Sequence, residues 1–444
     1  MNADAHHPAA PDLSRRDLTV DLARVFCVLL VVVIHVLMIG VSRDATGALS
    51  VDRTLGEQPW FPLATWAGQV MPLFFVVGGF ASATAWASTV RRGGDAGDYV
   101  RGRLLRLGRP AAAILVFLAA GLAVARLLGV DPALLATVAV GIGSPLWFLA
   151  AYGITQLFVP AMAGLHARRP VVTLVALAAG GVAVDLVRHA TGVTDVGLLN
   201  LLFVWLFVQQ LGFVYADARF GRIPRRMLVA VAAACYLLLV PMTSSGVWSR
   251  DMLVDLNPPM ATLMVLGVAQ LCLLRLARPL LARLMETRAA RAVVFAVGSR
   301  GMTVYLWHLP LAIVLTGVLL LIGAPFPEPA SAIWWWSRIP VVAGVLGLAF
   351  AVSLAVARLE RAPRADGPGR GRPSLPVIGV AAVLLIAPAF AIMLDGLSLP
   401  LAVIGAVAVP ASIRLLGPVS SPRAPSLGTP TGSRRSTTSA SPAR

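Results

Sequence analysis

Twelve apolar runs, each long enough to cross a lipid bilayer, constrain this chain more than any other feature. They lie near residues 22–41, 68–89, 110–128, 145–164, 171–189, 197–216, 227–243, 259–276, 301–323, 333–357, 375–394 and 398–416. Hydrocarbon offers the backbone no hydrogen-bonding partners, so runs of this length fold as helices. The connections between them alternate. Arg15 and Arg16, Arg91 to Arg109, Arg168 and Arg169, Arg219 to Arg226, Arg275 to Arg291 and Arg358 to Arg372 fall in alternate connections, whereas 129–144, 244–258 and 324–332 hold few arginines or none. Basic loops stay on the cytoplasmic side. The expected fold class is therefore all-α, a polytopic integral membrane helix bundle of about 10–12 transmembrane helices with both termini cytoplasmic.

Composition narrows the reading further. Hydrophobic residues make up 58% of the chain and charged residues 13%, which leaves no segment mixed enough for a soluble domain. The net charge of +17 is carried entirely by arginine, since lysine is absent. Arginines spaced between apolar runs are a topology signal, so nucleic acid is excluded as a partner. An all-arginine chain fits a GC-rich genome such as that of actinobacteria, and no chemistry is read into it. Cys27, Cys235 and Cys272 sit in apolar runs without CxxC or Cys/His spacing, so neither a zinc site nor a disulfide framework is expected. The first run is too long for a signal peptide and lacks a small-residue cleavage pattern, so it is read as a retained helix. His6 and His7, in the polar segment before it, are read as inert.

The domain expectations follow. Residues 1–17 form a disordered tail, 18–357 a membrane domain of about ten helices, and 358–374 a basic Gly/Pro linker. Residues 375–416 form two additional transmembrane helices, read as an appendage, and 417–444 a disordered Ser/Thr/Pro/Arg-rich tail. No internal repeat is visible, which disfavours transporter folds built from inverted repeats.

Candidate chemistry starts on the first helix. Ionisable residues in hydrocarbon are costly and mark functional sites by default. Arg24 and His35 are eleven positions apart. At about 100° per residue they return to within about 20° of one helix face, some 16 Å apart along the axis. His35 is open to two readings, a hydrogen-bonded bundle histidine or a general base or acyl acceptor in a polar cavity. Arg24, within reach of Asp21, taken alone reads as an interfacial anchor. Arg103, Arg106 and Arg109 form an oblique basic stripe, either an ordinary cytoplasmic signal or a site for a polyphosphate, because guanidinium forks bind phosphate bidentately. Pro72 and the Gly78–Gly79 pair permit a bend and close helix packing. Trp147 and Tyr152, like Trp334 to Trp336, read as interfacial aromatics. His308 taken alone reads as structural; on a helix starting near Gly301 it lies only about 10 Å deep, so contact with His35 is not assured, unless the apolar stretch instead begins near Ala292 and runs through Arg300 as a kinked or re-entrant segment. Asp185 reads as the partner of Arg188.

Five segments together resemble the acyltransferase-3 family of membrane-bound acyltransferases. They are Arg24 with His35; PLFFVVGGF from Pro72 to Phe80; Arg103 with Arg106; PLWFL from Pro145 to Leu149; and Tyr305 to His308. The resemblance covers residues 18–357. Gly78 departs from it, standing where the family usually has Ser. The resemblance implies transfer of an acyl group, commonly acetyl, from cytosolic acyl-coenzyme A to a hydroxyl of an extracytoplasmic glycan, cell-wall component, lipid-linked sugar or related metabolite. It implies His35 as catalytic base or transient acyl carrier, assisted by Arg24, with His308 in support. It implies Arg103 and Arg106, with Arg109 beside them, as contacts for donor phosphates. No permanently bound cofactor and no metal is expected. The C-terminal esterase-like domain of some family members is not expected here. The competing reading is a transporter or flippase for a lipid-linked sugar or small anion, with His35, Asp185 and Arg188 on the path.

Overall fold

The structure is a computed structural model that describes residues 17–43, 49–360 and 373–417. The tails expected over 1–17 and 417–444 and the linker over 358–374 lie largely outside the described residues. Among the described residues, twelve helical spans are long and apolar enough to cross a membrane. The expected count of about ten to twelve is met at its upper end.

Helix α1 (Leu18–Met38) starts at Asp17, whose carboxylate accepts the Thr19 N–H and closes an otherwise open helix N-terminus. A small antiparallel hairpin, β1 (Gly40–Arg43) and β2 (Leu49–Asp52), follows with Gly40 opposite Asp52. The run expected over 68–89 is α3 (Met71–Arg91), preceded by a short helix α2 (Phe61–Gly68) from which a break at Gln69 and Val70 separates it. Buried Gln69 stitches the break. It accepts the Met71 N–H and donates to the Met252 carbonyl, while its own carbonyl accepts from Gln270. A polar side chain at membrane depth is here fully employed in replacing lost helix hydrogen bonds.

Helix α4 (Ala96–Leu127) opens with a reciprocal capping box between Asp95 and Asp98. The arginine-free connection expected at 129–144 is instead a short helix, α5 (Pro132–Gly143), leading through a tight turn into α6 (Trp147–Arg168). The chain continues with α7 (Pro170–Thr191), α8 (Asn200–Ala216), α9 (Arg225–Ser244) and α10 (Ala261–Glu286). Helix α11 (Arg288–Gly298) precedes α12 (Gly301–Leu321), and α13 (Ala332–Glu360), α14 (Leu375–Asp395) and α15 (Leu399–Leu416) complete the order.

Helix α8 runs through the middle and packs backbone to backbone on α3. A Cβ at Gly79 would stand 2.0 Å from the Gln209 carbonyl oxygen, and one at Gly212 2.2 Å from that of Val76. Small residues permit this approach. Helices α14 and α15 are not peripheral. Gly108 of α4 faces Leu385 and Ile413, Gly153 of α6 faces Ile386, and buried Arg101 donates to the Leu416 carbonyl.

Two expectations about polar and aromatic residues are corrected. Asp185 does not pair with Arg188. Its carboxylate accepts from Asn200 Nδ2 (2.7 Å), Trp248 Nε1 (2.7 Å) and the Ala261 N–H (2.8 Å), because the 245–260 connection folds back over the end of α7. Arg188 reaches the Met260 sulfur instead. Of the three consecutive tryptophans, only Trp336 is largely exposed. Trp334 is buried, with the Arg338 guanidinium 4.7 Å from its ring centroid.

Candidate active site

Helices α1 and α12 run side by side in register, and this register creates the site. A Cβ on Gly298 would touch Val25, and one on Gly301 would touch Val28. Seven residues beyond Val28 and Gly301 lie His35 and His308. Each is about 10 Å further along its helix, so the two side chains arrive at the same depth. The His308 Nε2 to His35 Nδ1 distance is 2.9 Å, with ring centroids 4.9 Å apart. The apparent mismatch in depth disappears because α11 occupies the approach to α12, so that α12 begins level with Val28 rather than with Leu18.

The pair has an internal direction. His308 is fully buried, and its Nδ1 lies against the Tyr305 carbonyl oxygen, one turn earlier. A carbonyl only accepts, so Nδ1 of His308 carries the hydrogen. In the neutral pair His308 Nε2 is then the acceptor and His35 Nδ1 the donor. This leaves His35 Nε2 with an unshared lone pair. His35 is only half-buried and sits in the last turn of α1, where carbonyl dipoles favour developing positive charge.

At the arginine-rich end of the same helices lies a cavity of about 510 Å³. Its polar wall holds Asp17, Asp21, Arg24, Ser88, Arg103 and Arg106. Its inner wall is aromatic, with Phe74, Phe148, Tyr152 and Tyr305. Arg24 is 3.6 Å from Asp21, and Asp17 is 3.7 Å from Arg278. Arg103 donates to the Tyr99 hydroxyl (3.1 Å) and the Ala81 carbonyl (3.2 Å), which fixes its guanidinium at the edge of the cavity. Tyr305 stands between the cavity and the histidines. It lines the cavity, its hydroxyl donates to the Pro145 carbonyl at 3.3 Å, and its ring centroid is 5.8 Å from that of His308.

Of the residues singled out from sequence, the structure gathers Arg24, Arg103 and Arg106 around one cavity and joins His35 to His308 just beyond it. Arg109 turns away and lines an adjoining cavity with Arg300. Tyr152 and Trp147 are not interfacial. Tyr152 stacks on Phe148 with centroids 5.2 Å apart, and Trp147 stacks on the buried Trp205. Gly78 faces Tyr152: a Cβ there would lie 3.1 Å from the ring and 3.5 Å from its hydroxyl. A phenol thus sits beside the position where the family usually carries a serine hydroxyl. Arg300 was named from sequence only within the alternative kinked segment from Ala292 and not as a site residue.

The arrangement offers a lone-pair base at the far end of a cation-lined cavity, the components of acyl transfer to a hydroxyl. A family model described as an acyltransferase domain matches residues 17–358. Neither a curated protein nor a solved structure matches the chain. The matched span contains both histidines and every cavity residue named above, and the chain belongs to the acyltransferase-3 family, as a multi-pass acyltransferase of the plasma membrane.

Proposed function

We propose that this protein transfers an acyl group, acetyl in the first instance, from cytosolic acyl-coenzyme A to a hydroxyl of an extracytoplasmic glycan, cell-wall component or lipid-linked sugar. The observation that supports the reading is the directed His35–His308 contact lying past an arginine-lined cavity that α1 and α12 border together with α4. The arginine-rich end is taken as cytoplasmic. Donor phosphates then meet Arg24, Arg103 and Arg106, while the pantetheine and thioester extend along the aromatic wall toward Tyr305. The acceptor approaches from the opposite face, where His35 lies one turn from the end of α1.

The chemistry balances on one nitrogen. His35 Nε2 takes the acceptor hydroxyl proton as the oxygen attacks the thioester carbonyl. The tetrahedral intermediate collapses with cleavage of the carbon–sulfur bond. The proton on Nε2 passes to the departing thiolate, restoring the neutral pair. His308 holds the His35 ring through Nδ1 and shares the positive charge while the proton resides on Nε2.

Substituting His35→Ala should reduce transfer of radiolabelled acetyl from acetyl-coenzyme A into membrane glycan or lipid fractions by roughly 10²–10⁴-fold. Membrane insertion and thermal stability should be retained. Full transfer in that variant would refute the role assigned to His35. The absence of any label with the unmodified protein would refute the donor.

A further inference from the structure

Three helices meet beside the arginine-lined cavity at one amide oxygen. Gln156 of α6, Ser82 of α3 and Tyr99 of α4 are 0%, 0% and 4% exposed. The Ser82 hydroxyl donates to Gln156 Oε1 at 3.1 Å, and the Tyr99 hydroxyl donates to the same oxygen at 3.0 Å. Tyr99 in turn accepts from Arg103 Nε, one turn along α4, at 3.1 Å. An arginine nitrogen only donates, so the phenol oxygen accepts there and its hydrogen is committed to Gln156. The bonds therefore run in one direction, from the guanidinium at the cavity edge to an acceptor buried between the helices.

The chain of bonds is more than a cross-link between helices. The second tether of Arg103 ends next to the first: its Nη2 bonds the Ala81 carbonyl at 3.2 Å, and Ser82 is the neighbouring residue. The guanidinium is thus held at two nitrogens. Its Nη1 has no protein partner among the described residues, on a side chain that lines the cavity. Both tethers are neutral. Arg24 in the same wall has Asp21 at 3.6 Å, whereas no carboxylate pairs with Arg103 among the described residues, so Arg103 is oriented with its charge uncompensated by protein. The phenol is fixed from another side by Trp86, whose ring meets it edge-on with centroids 5.8 Å apart. The arrangement is also costly. Gln156 Nε2 is buried without a partner among the described residues, and an apolar side chain at that depth would carry no such penalty.

We infer that Gln156 is a positioning residue for acyl transfer: through Tyr99 it sets the angle at which Arg103 presents its guanidinium to the anionic part of the donor. The inference rests on the acyl-coenzyme A reading of the cavity. A free arginine side chain samples many rotamers, and capturing an anion with it costs that freedom. Tyr99 and Gln156 impose the order before the donor arrives. Gln156 is enclosed between α3, α4 and α6, so its influence on the donor passes through Arg103, and donor binding is the step that registers it.

A double-mutant cycle on the full-length protein tests this, read as coenzyme A affinity in detergent and as donor KM and kcat for radiolabelled acetyl transfer in membranes. Gln156→Met keeps the length of the side chain and removes the acceptor. It should weaken coenzyme A binding and raise the donor KM about fivefold, the equivalent of one hydrogen bond, with kcat little changed. Tyr99→Phe keeps the ring against Trp86 and should do the same; it carries the test if Gln156→Met fails to fold. In an Arg103→Gln background neither substitution should weaken binding further, because the group they orient is gone. Weakening by the same factor in both backgrounds overturns the inference, since residues of merely structural importance would act independently of Arg103. Unaltered coenzyme A affinity in the single variants overturns it as well, as does a fall in kcat with the donor KM unchanged. Each of those outcomes leaves the acyl-coenzyme A reading standing. If the unmodified protein binds no coenzyme A, that reading fails and takes this inference with it.

Discussion

Two regions of this bundle bury ionisable groups, and they differ in how those groups are satisfied. At the arginine-poor end, Asp185 accepts three hydrogen bonds, and Asp255 accepts from the Ser249 N–H and the Thr262 hydroxyl. Those contacts pin the 245–260 connection onto the ends of α7 and α10. At the arginine-rich end, Arg24, Arg103 and Arg106 border open space, and the histidine chain beyond them ends in an unshared lone pair on His35 Nε2. A charged residue in a membrane span marks function by default. The second region is the proposed site, whereas the groups of the first are held in structural contacts. The distinguishing property is whether the group borders a cavity.

The comparison can be broken experimentally. The sharpest attempt is His308→Ala, which removes the acceptor that orients His35 while leaving the cavity intact. Turnover should fall by roughly 10²–10³-fold with the donor KM little changed, and the pH profile should shift because His35 is free to adopt its other tautomer. An unchanged turnover would make the histidine contact merely structural. Asp185→Ala tests the other side. It strands the Asn200, Trp248 and Ala261 donors and should cost about 2 kcal/mol of stability, read as a lowered thermal midpoint. Activity per folded molecule should stay near that of the unmodified protein, and a folded but inactive variant would erase the distinction drawn between the regions. Arg24→Gln should raise the donor KM about tenfold, or about 1.4 kcal/mol, with a smaller effect on kcat.

The smallest effect concerns pH. Burial, with the neighbouring Asp185 charge adding to it, pushes the Asp255 carboxyl up to about 6 from its usual 3.8, against the pull of its Thr262 and Ser249 hydrogen bonds. The folded protein therefore holds this proton more tightly than the unfolded chain does. Stability from this group is fully present below the unfolded value and is lost as pH rises through about 6. The thermal midpoint should fall by a few degrees between pH 5 and pH 7, and Asp255→Asn should flatten that dependence. A steeper dependence in the variant would assign the titration to another group.

Much of the fold was legible because bilayer physics leaves few choices. Run length set the spans. Legibility failed where a short helix preceded a predicted span, as at 61–68, and where a polar-poor connection was itself helical, as at 132–143. Within the site, Arg24, His35, Arg103, Arg106 and His308 were each visible as residues. Their grouping came from the family resemblance alone, and helical spacing left contact between His308 and His35 open, because depth counted from Gly301 assumes that every helix starts at one level. The α11 segment violates that assumption and brings His308 beside His35. Asp185 was misassigned for a related reason. Helical spacing favours Arg188, whereas the donors that hold the carboxylate come from residues far along the chain.

The sequence by itself determined that this chain is a multi-span helical bundle with arginines in alternate connections, since apolar length and charge placement are local properties of the chain. Tertiary structure alone decided which of its charged residues face open space, which tautomer His35 adopts, and that Arg109 and Arg300 share a cavity apart from Arg24. Those properties depend on the axial register between helices, and register is fixed by packing contacts such as Gly301 on Val28 and Gly79 on α8, which no single run encodes.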